Sequence, residues 1–273
     1  MTLILDSLDS ARSAGVITQL QTTQVETLLS MLQNESVSSS LKSFDDLKSF
    51  VSNTIKSCIL LHLRFAADTL SDSSIVMLQS VCETVLGLLE FNDAWTLLIS
   101  TMGTISMQVT EGRETVQTLS IILLSSLIGN DSIDPELVTS KELGSLLIGL
   151  VELIPENTTN AVTLSRDHSI DSWVGTHSLG NAVEQCLVQY LGNCTLKKLD
   201  KMFRKLVSQF SDIKSVEKFC TVLRIYSQLC TQGGSAVVLA TVGIVRDMIL
   251  SGLGTASSGV LKKSSKRLSL IHI

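Results

Sequence analysis

Leu196-Lys197-Lys198-Leu199-Asp200-Lys201-Met202-Phe203-Arg204-Lys205-Leu206-Val207-Ser208-Gln209-Phe210 carries the clearest helical period in the chain. Its apolar residues Leu196, Leu199, Phe203, Leu206 and Phe210 step by 3, 4, 3 and 4. At about 3.6 residues per turn, that spacing lines them up along one side of a helix and predicts an amphipathic element with this side in a core. Lys197, Lys198, Lys201, Arg204 and Lys205 then share an arc of about 120° on the other side, bordered by Asp200 alone. Thr195 stands in front as a helix-capping residue.

Working outward, the same period recurs along most of the chain. Downstream, a helix around Ser215-x-Glu217 adds Lys214, Lys218 and Arg224 to the basic side. Gly233-Gly234 breaks it, and an apolar helix follows over 235–252. Upstream, Val25, Leu28, Leu29 and Leu32 fall on one helical face. Ser43 precedes Asp46 at the capping-box distance, and Asn92-Asp93 reads as the cap of a shorter segment over 94–105. Asp134-Pro135 pairs an N-cap with a first-turn proline, and Ser140-x-Glu142 opens the next element. The stretch 155–175 is polar and aperiodic and reads as the longest loop. Helices of roughly 12–20 residues, recurring at about 35–45 residues per pair, predict an all-α chain built as an α-solenoid of HEAT/armadillo-like helical pairs. A compact helical bundle is the alternative.

Composition agrees. The 273 residues are 44% hydrophobic and 17% charged, too apolar for a disordered chain. Only two are proline, which leaves long helices uninterrupted. The start, Met1-Thr2-Leu3-Ile4-Leu5-Asp6, lacks the basic leader of a secretory signal. No uncharged apolar run reaches the ~18 residues of a membrane span, since Arg246-Asp247 interrupts 236–250. An intracellular protein without a membrane partner is the expectation, with a helical stack over 1–256 that is part of a longer chain. A basic, flexible tail over 257–273 follows, and its last residues, Leu268-Ser269-Leu270-Ile271-His272-Ile273, read as an assembly artefact.

Groups suited to catalysis are sparse. His62 sits among leucines and reads as a structural side chain. His168, Asp171 and His177 share the long loop with Asp167, and Cys186 follows. Their spacings are not those of a zinc site, which uses tight pairs such as Cys-x2-Cys or His-x3-His. Cys58, Cys82, Cys186, Cys194, Cys220 and Cys230 lie mostly in apolar helical patterns and read as reduced, buried thiols. Gly-Thr-His-Ser-Leu-Gly at 175–180 is not a nucleophile elbow, and no phosphate-binding loop is present. The reading is a non-enzyme with no cofactor, no metal and no small-molecule substrate.

Charge is unevenly spread. Residues 1–190 hold 8 Lys/Arg against 22 Asp/Glu, a net of −14, and residues 191–273 hold 13 against 4, a net of +9. Lys197, Lys198, Lys201, Arg204, Lys205, Lys214 and Lys218 are the candidate polyanion-binding residues. Such a stripe raises the local potential and makes binding salt-sensitive. A solvated face, a contact with RNA or an acidic protein, and an intramolecular contact with the acidic two-thirds all fit it. No aromatic residues interleave with the cations, so a nucleic acid would be held by its phosphates.

Four features occur in order between Asn181 and Leu253: Cys186-Leu187-Val188; Phe203-Arg204-Lys205-Leu206; a helix with Phe219, Leu223, Tyr226 and Leu229; and Val245-Arg246-Asp247. This order resembles the C-terminal region of the large nucleolar HEAT-repeat scaffold of the small-subunit processome. The likeness covers about a quarter of the chain, and Lys205 stands where that family has proline. It implies a nucleolar scaffold that supports ribosomal RNA processing among the other proteins of a large assembly, with no catalytic residues. A protein-only adaptor, or a transport or assembly-factor solenoid gripping a peptide or protein, is the competing reading.

Overall fold

The computed structural model describes residues 19–43, 45–68, 72–109, 113–130, 132–150, 179–209 and 216–261. Among them every regular element is a helix, as the 3.6-residue period predicts. In chain order these are α1 (Gln19–Gln33), α2 (Glu35–Lys42), α3 (Leu47–Asp68), α4 (Asp72–Leu86), α5 (Phe91–Gln108) and α6 (Arg113–Ile128). Then come α7 (Pro135–Val138), α8 (Lys141–Gly149), α9 (Leu179–Gly192), α10 (Leu196–Gln209) and α11 (Val216–Leu261). The loop 155–175, with His168, Asp171, His177 and Asp167, lies outside the described residues. So do the tail from 262 onward and Lys214.

Several boundaries follow from local chemistry. The Asn34 side chain accepts from the backbone amides of Ser36 and Val37 and starts α2, a helix with no buried side chain. Asp134 accepts from the Glu136 amide, with Pro135 in the first turn of α7. Ser140 caps α8 by accepting from the Leu143 amide. Two expected caps are corrected. Ser43 ends α2 and does not open α3, because its backbone amide donates to Leu41. Helix α5 starts earlier than Asn92-Asp93, behind Glu90 and without a side-chain cap. The Asn92 carboxamide oxygen instead accepts from the Trp95 indole N–H at 3.3 Å.

The core runs through the whole described chain. Helix α1 seats Val25, Leu28 and Leu32 on α4. Helices α3 and α4 pack as a pair, as do α5 and α6. Helix α3 also touches α5, and α4 also touches α6. Helix α6 is buried on nearly all sides, by Val116, Leu119, Ile121, Leu123, Leu124 and Leu127 among others, since it has α3, α4, α5 and α9 around it. Its main neighbour is α9, equally buried through Val183, Cys186, Leu187, Val188 and Leu191. The Asn193 side-chain amide joins their ends by donating to the Ile128 carbonyl at 3.2 Å.

Thr221–Leu250, within α11, spans 30 residues and contains an 18-residue window with a mean hydropathy of 1.6, which reaches membrane-spanning length and apolarity despite Arg246 and Asp247. It is not one rod. Gly234 has φ 61° and ψ −153°, a conformation open essentially to glycine alone. The Tyr226 hydroxyl hydrogen bonds with the Thr241 side chain. A straight helix would hold these two residues about 22 Å apart. Helix α11 therefore folds back at Gly234 into arms 216–233 and 235–261, and the break read at Gly233-Gly234 becomes a hairpin. By helical rise the second arm, 235–261, is about 40 Å long, with Arg246 and Asp247 near its middle.

Candidate polyanion-binding face

Helix α10 is placed by Leu199, Met202, Phe203 and Leu206, all buried. Leu196 does not belong to this core face as expected, being 47% exposed. It lies about 70° from the centre of the buried arc, at the first helical position, where neighbours thin out. Met202 takes the vacated share of the core, and Phe210 falls outside the described residues. Phe203 leans on Tyr226 of α11, with ring centroids 6.2 Å apart at 39°. Against α8 the fit is closer: a Cβ on Gly144 would overlap the Tyr190 hydroxyl and the Met202 methyl. The buried Tyr190 hydroxyl donates to the Ser140 carbonyl at 3.4 Å.

The other side of α10 carries the expected cations, in unequal states. Lys197, Lys201, Arg204 and Lys205 are exposed, and Lys198 is half-buried. Arg204 is tied to Asp200: Nε lies 3.2 and 3.1 Å from the two carboxylate oxygens, and Nη2 lies 3.1 Å from Oδ1. The hydrogen bond and charge of Asp200 hold the guanidinium pKa above its ordinary value. Lys205 donates to Ser145 Oγ at 3.1 Å. Lys198 sits near Cys194, whose thiol is pushed up to about 11 by burial, against the lowering effect of that lysine. Lys197, Lys201 and Lys205 stand four residues apart, so they form a row with a spacing of about 6 Å. Phe203, the aromatic residue nearest the row in sequence, is buried and offers no base-stacking surface.

Arg224 does not join this face. It is drawn inward, with Nε donating to Glu184 Oε2 of α9 at 2.7 Å and Nη2 to Thr221 Oγ1 at 2.9 Å. Gln228 donates to Glu184 Oε1 at 2.7 Å. The carboxylate is buried, and sequence reasoning missed it because its partners lie 40 and 44 residues away. Lys218 lies in the first arm of α11, and its side chain is outside the described set.

Catalytic groups do not converge elsewhere among the described residues. His62 is 2% exposed, and burial lowers its pKa from 6.5 to about 4, which leaves it neutral at pH 7. Cys58, Cys82 and Cys186 are free, buried thiols, and Cys194 and Cys230 are free and half-buried. Burial raises the Cys186 thiol well above its ordinary value. No group of three His, Cys, Asp or Glu side chains is placed to hold a metal among the described residues. No family model, curated protein or solved structure matches the chain.

Proposed function

We propose that the chain is a non-catalytic scaffold of stacked helical pairs whose helix α10 grips the phosphate backbone of RNA. The carrying observation is the exposed row Lys197, Lys201 and Lys205 on the side of α10 opposite its core residues. Three point charges at about 6 Å spacing suit a run of phosphates and carry no base readout. The stacking of pairs is supported by the contacts of α3 with α5 and of α4 with α6, which place like with like in successive pairs. The nucleolar setting rests on the resemblance over Asn181–Leu253. Cys186, Leu187, Val188 and Phe203, which help to carry that likeness, are core residues here.

Fluorescence anisotropy on a structured RNA across a salt series tests the binding. Lys197→Gln, Lys201→Gln and Lys205→Gln together should abolish most of the binding and reduce the log–log salt slope by about 3, near one per lysine. Arg204→Gln should do less, since Asp200 already neutralises that guanidinium. Equal or absent binding in wild type and triple variant would sink the RNA reading and favour the protein-only adaptor.

A further inference from the structure

We propose that the RNA path does not end on α10 but crosses onto α8, where Ser145 and Lys141 hold the next stretch of phosphate backbone; this rests on the reading of α10 as the RNA contact. The seam between the two helices is already bridged. Lys205 Nζ donates to Ser145 Oγ at 3.1 Å, across 60 residues of sequence, and both residues are exposed. A serine oxygen that accepts from an ammonium keeps its own proton for another acceptor. Ser145 therefore fixes the last lysine of the row and offers a phosphate a neutral donor beside it.

Helical geometry carries the path one step further. Counted from Lys141 at about 100° per residue, Gly144 falls at about 300°, Ser145 at about 40° and Glu142 at about 100°. Gly144 packs against Met202 of α10, and Ser145 meets Lys205, so α10 lies across the arc between them. Lys141 stands inside that arc, exposed and one turn from Ser145, at the same spacing of about 6 Å as the α10 row. Among the described residues it forms no ion pair. Glu142 stands about 60° beyond Ser145, on the side away from α10. The other flank of the row is closed by paired charges. Asp200 holds Arg204. Asp247 of α11, which also acts on Arg204, holds Arg246 at 2.8 Å. Each four-residue step from Lys197 to Lys205 also turns about 40° further round α10, away from Asp200 and toward α8. A polyanion that follows the row is thus led to Ser145 and Lys141.

Fluorescence anisotropy of the full chain on the structured RNA, with Lys141→Gln, Ser145→Ala and Lys42→Gln, tests this. Lys141→Gln should lower the log–log salt slope by about 1 and weaken binding about fivefold at about 0.15 M salt. Ser145→Ala should weaken binding by a smaller factor and leave the slope unchanged, since no charge is lost. Lys42 is exposed on α2, and Lys42→Gln makes the same charge change there. It should leave affinity and slope as in the wild type. A Lys141→Gln or Ser145→Ala chain that binds like the wild type overturns the proposal. So does a Lys42→Gln chain that loses as much as Lys141→Gln. In these cases, loss of binding in the triple lysine variant keeps the α10 reading standing, whereas a wild type that does not bind sinks both. Lysine acylation with and without RNA, read by mass spectrometry, needs no variant. Protection of Lys141 together with Lys205 supports the crossing, and protection of Lys205 with Lys141 still open rejects it.

Discussion

The two ends of the molecule solve the same problem in opposite ways. At the start, α1 inserts Val25, Leu28 and Leu32 beneath it and turns Glu26, Thr27, Ser30 and Gln33 to solvent. At the finish, the second arm of α11 inserts Val237, Ile244, Val245 and Met248 but leaves Leu239, Val242 and Leu250 outside. Apart from Met31, 41% exposed, the outward side of α1 among the described side chains is polar, and that of the last arm is not. The seating differs as well. The described α1 seat is apolar, whereas the α9–α11 joint is built around the buried Glu184 carboxylate with Arg224 and Gln228.

The joint gives the largest expected effect. Glu184→Ala would remove the acceptor that Arg224 and Gln228 share. Each of these hydrogen bonds to a charged group contributes about 1.5–3 kcal/mol, and because the Arg224 side chain, 43% exposed, can turn to water, the total loss lies near the lower sum, about 3 kcal/mol. Urea unfolding should show the loss, and hydrogen exchange should place it first in α9 and α11. A loss spread evenly into α1 and α4 would break the distinction between the two ends.

Acid should attack the first half instead. Burial lowers the folded pKa of His62 to about 4, from its ordinary 6.5. The unfolded chain therefore takes up the proton first as pH falls. The stability that the neutral side chain retains is complete above about pH 6.5 and is lost progressively toward pH 4, to a total of about 3 kcal/mol. Thermal midpoints measured between pH 7 and pH 4 should fall, and His62→Gln should flatten that fall. An unchanged pH profile in the variant would reject His62 as its source.

What could be read in advance depended on how local the cause was. Asp134-Pro135, Ser140 and Gly233-Gly234 act within a few residues of themselves, and each marked a real boundary. The helical period of 196–210 fixed the exposed side of α10, because core and solvent there are set by neighbours in sequence. Ser43 misled because a serine beside a helix end can finish one helix as well as start the next. Leu196 misled because period alone does not say where a neighbouring helix stops. Arg224 was read with the basic side, and the fact that it meets Glu184 across 40 residues is a property of the packing alone. The α10 row was legible as charge. The holds on Arg204 by Asp200 and on Lys205 by Ser145 came only with side-chain geometry.

The smallest expected change in stability is the sharpest test of the comparison between ends. Glu26 and Ser30 are exposed on α1, so Glu26→Leu with Ser30→Leu should move folding stability by no more than about 0.5 kcal/mol for each substitution. The same pair joins the exposed Met31 and gives α1 an apolar stripe like that of the last arm. Association should then rise with concentration, since each molecule would hold an exposed apolar stripe on both of these helices. Sedimentation of this variant should show species larger than those of the wild type that grow with concentration. If it behaves as wild type does, the polarity of α1 is not what limits assembly. The difference between the ends would then be one of composition without consequence for association.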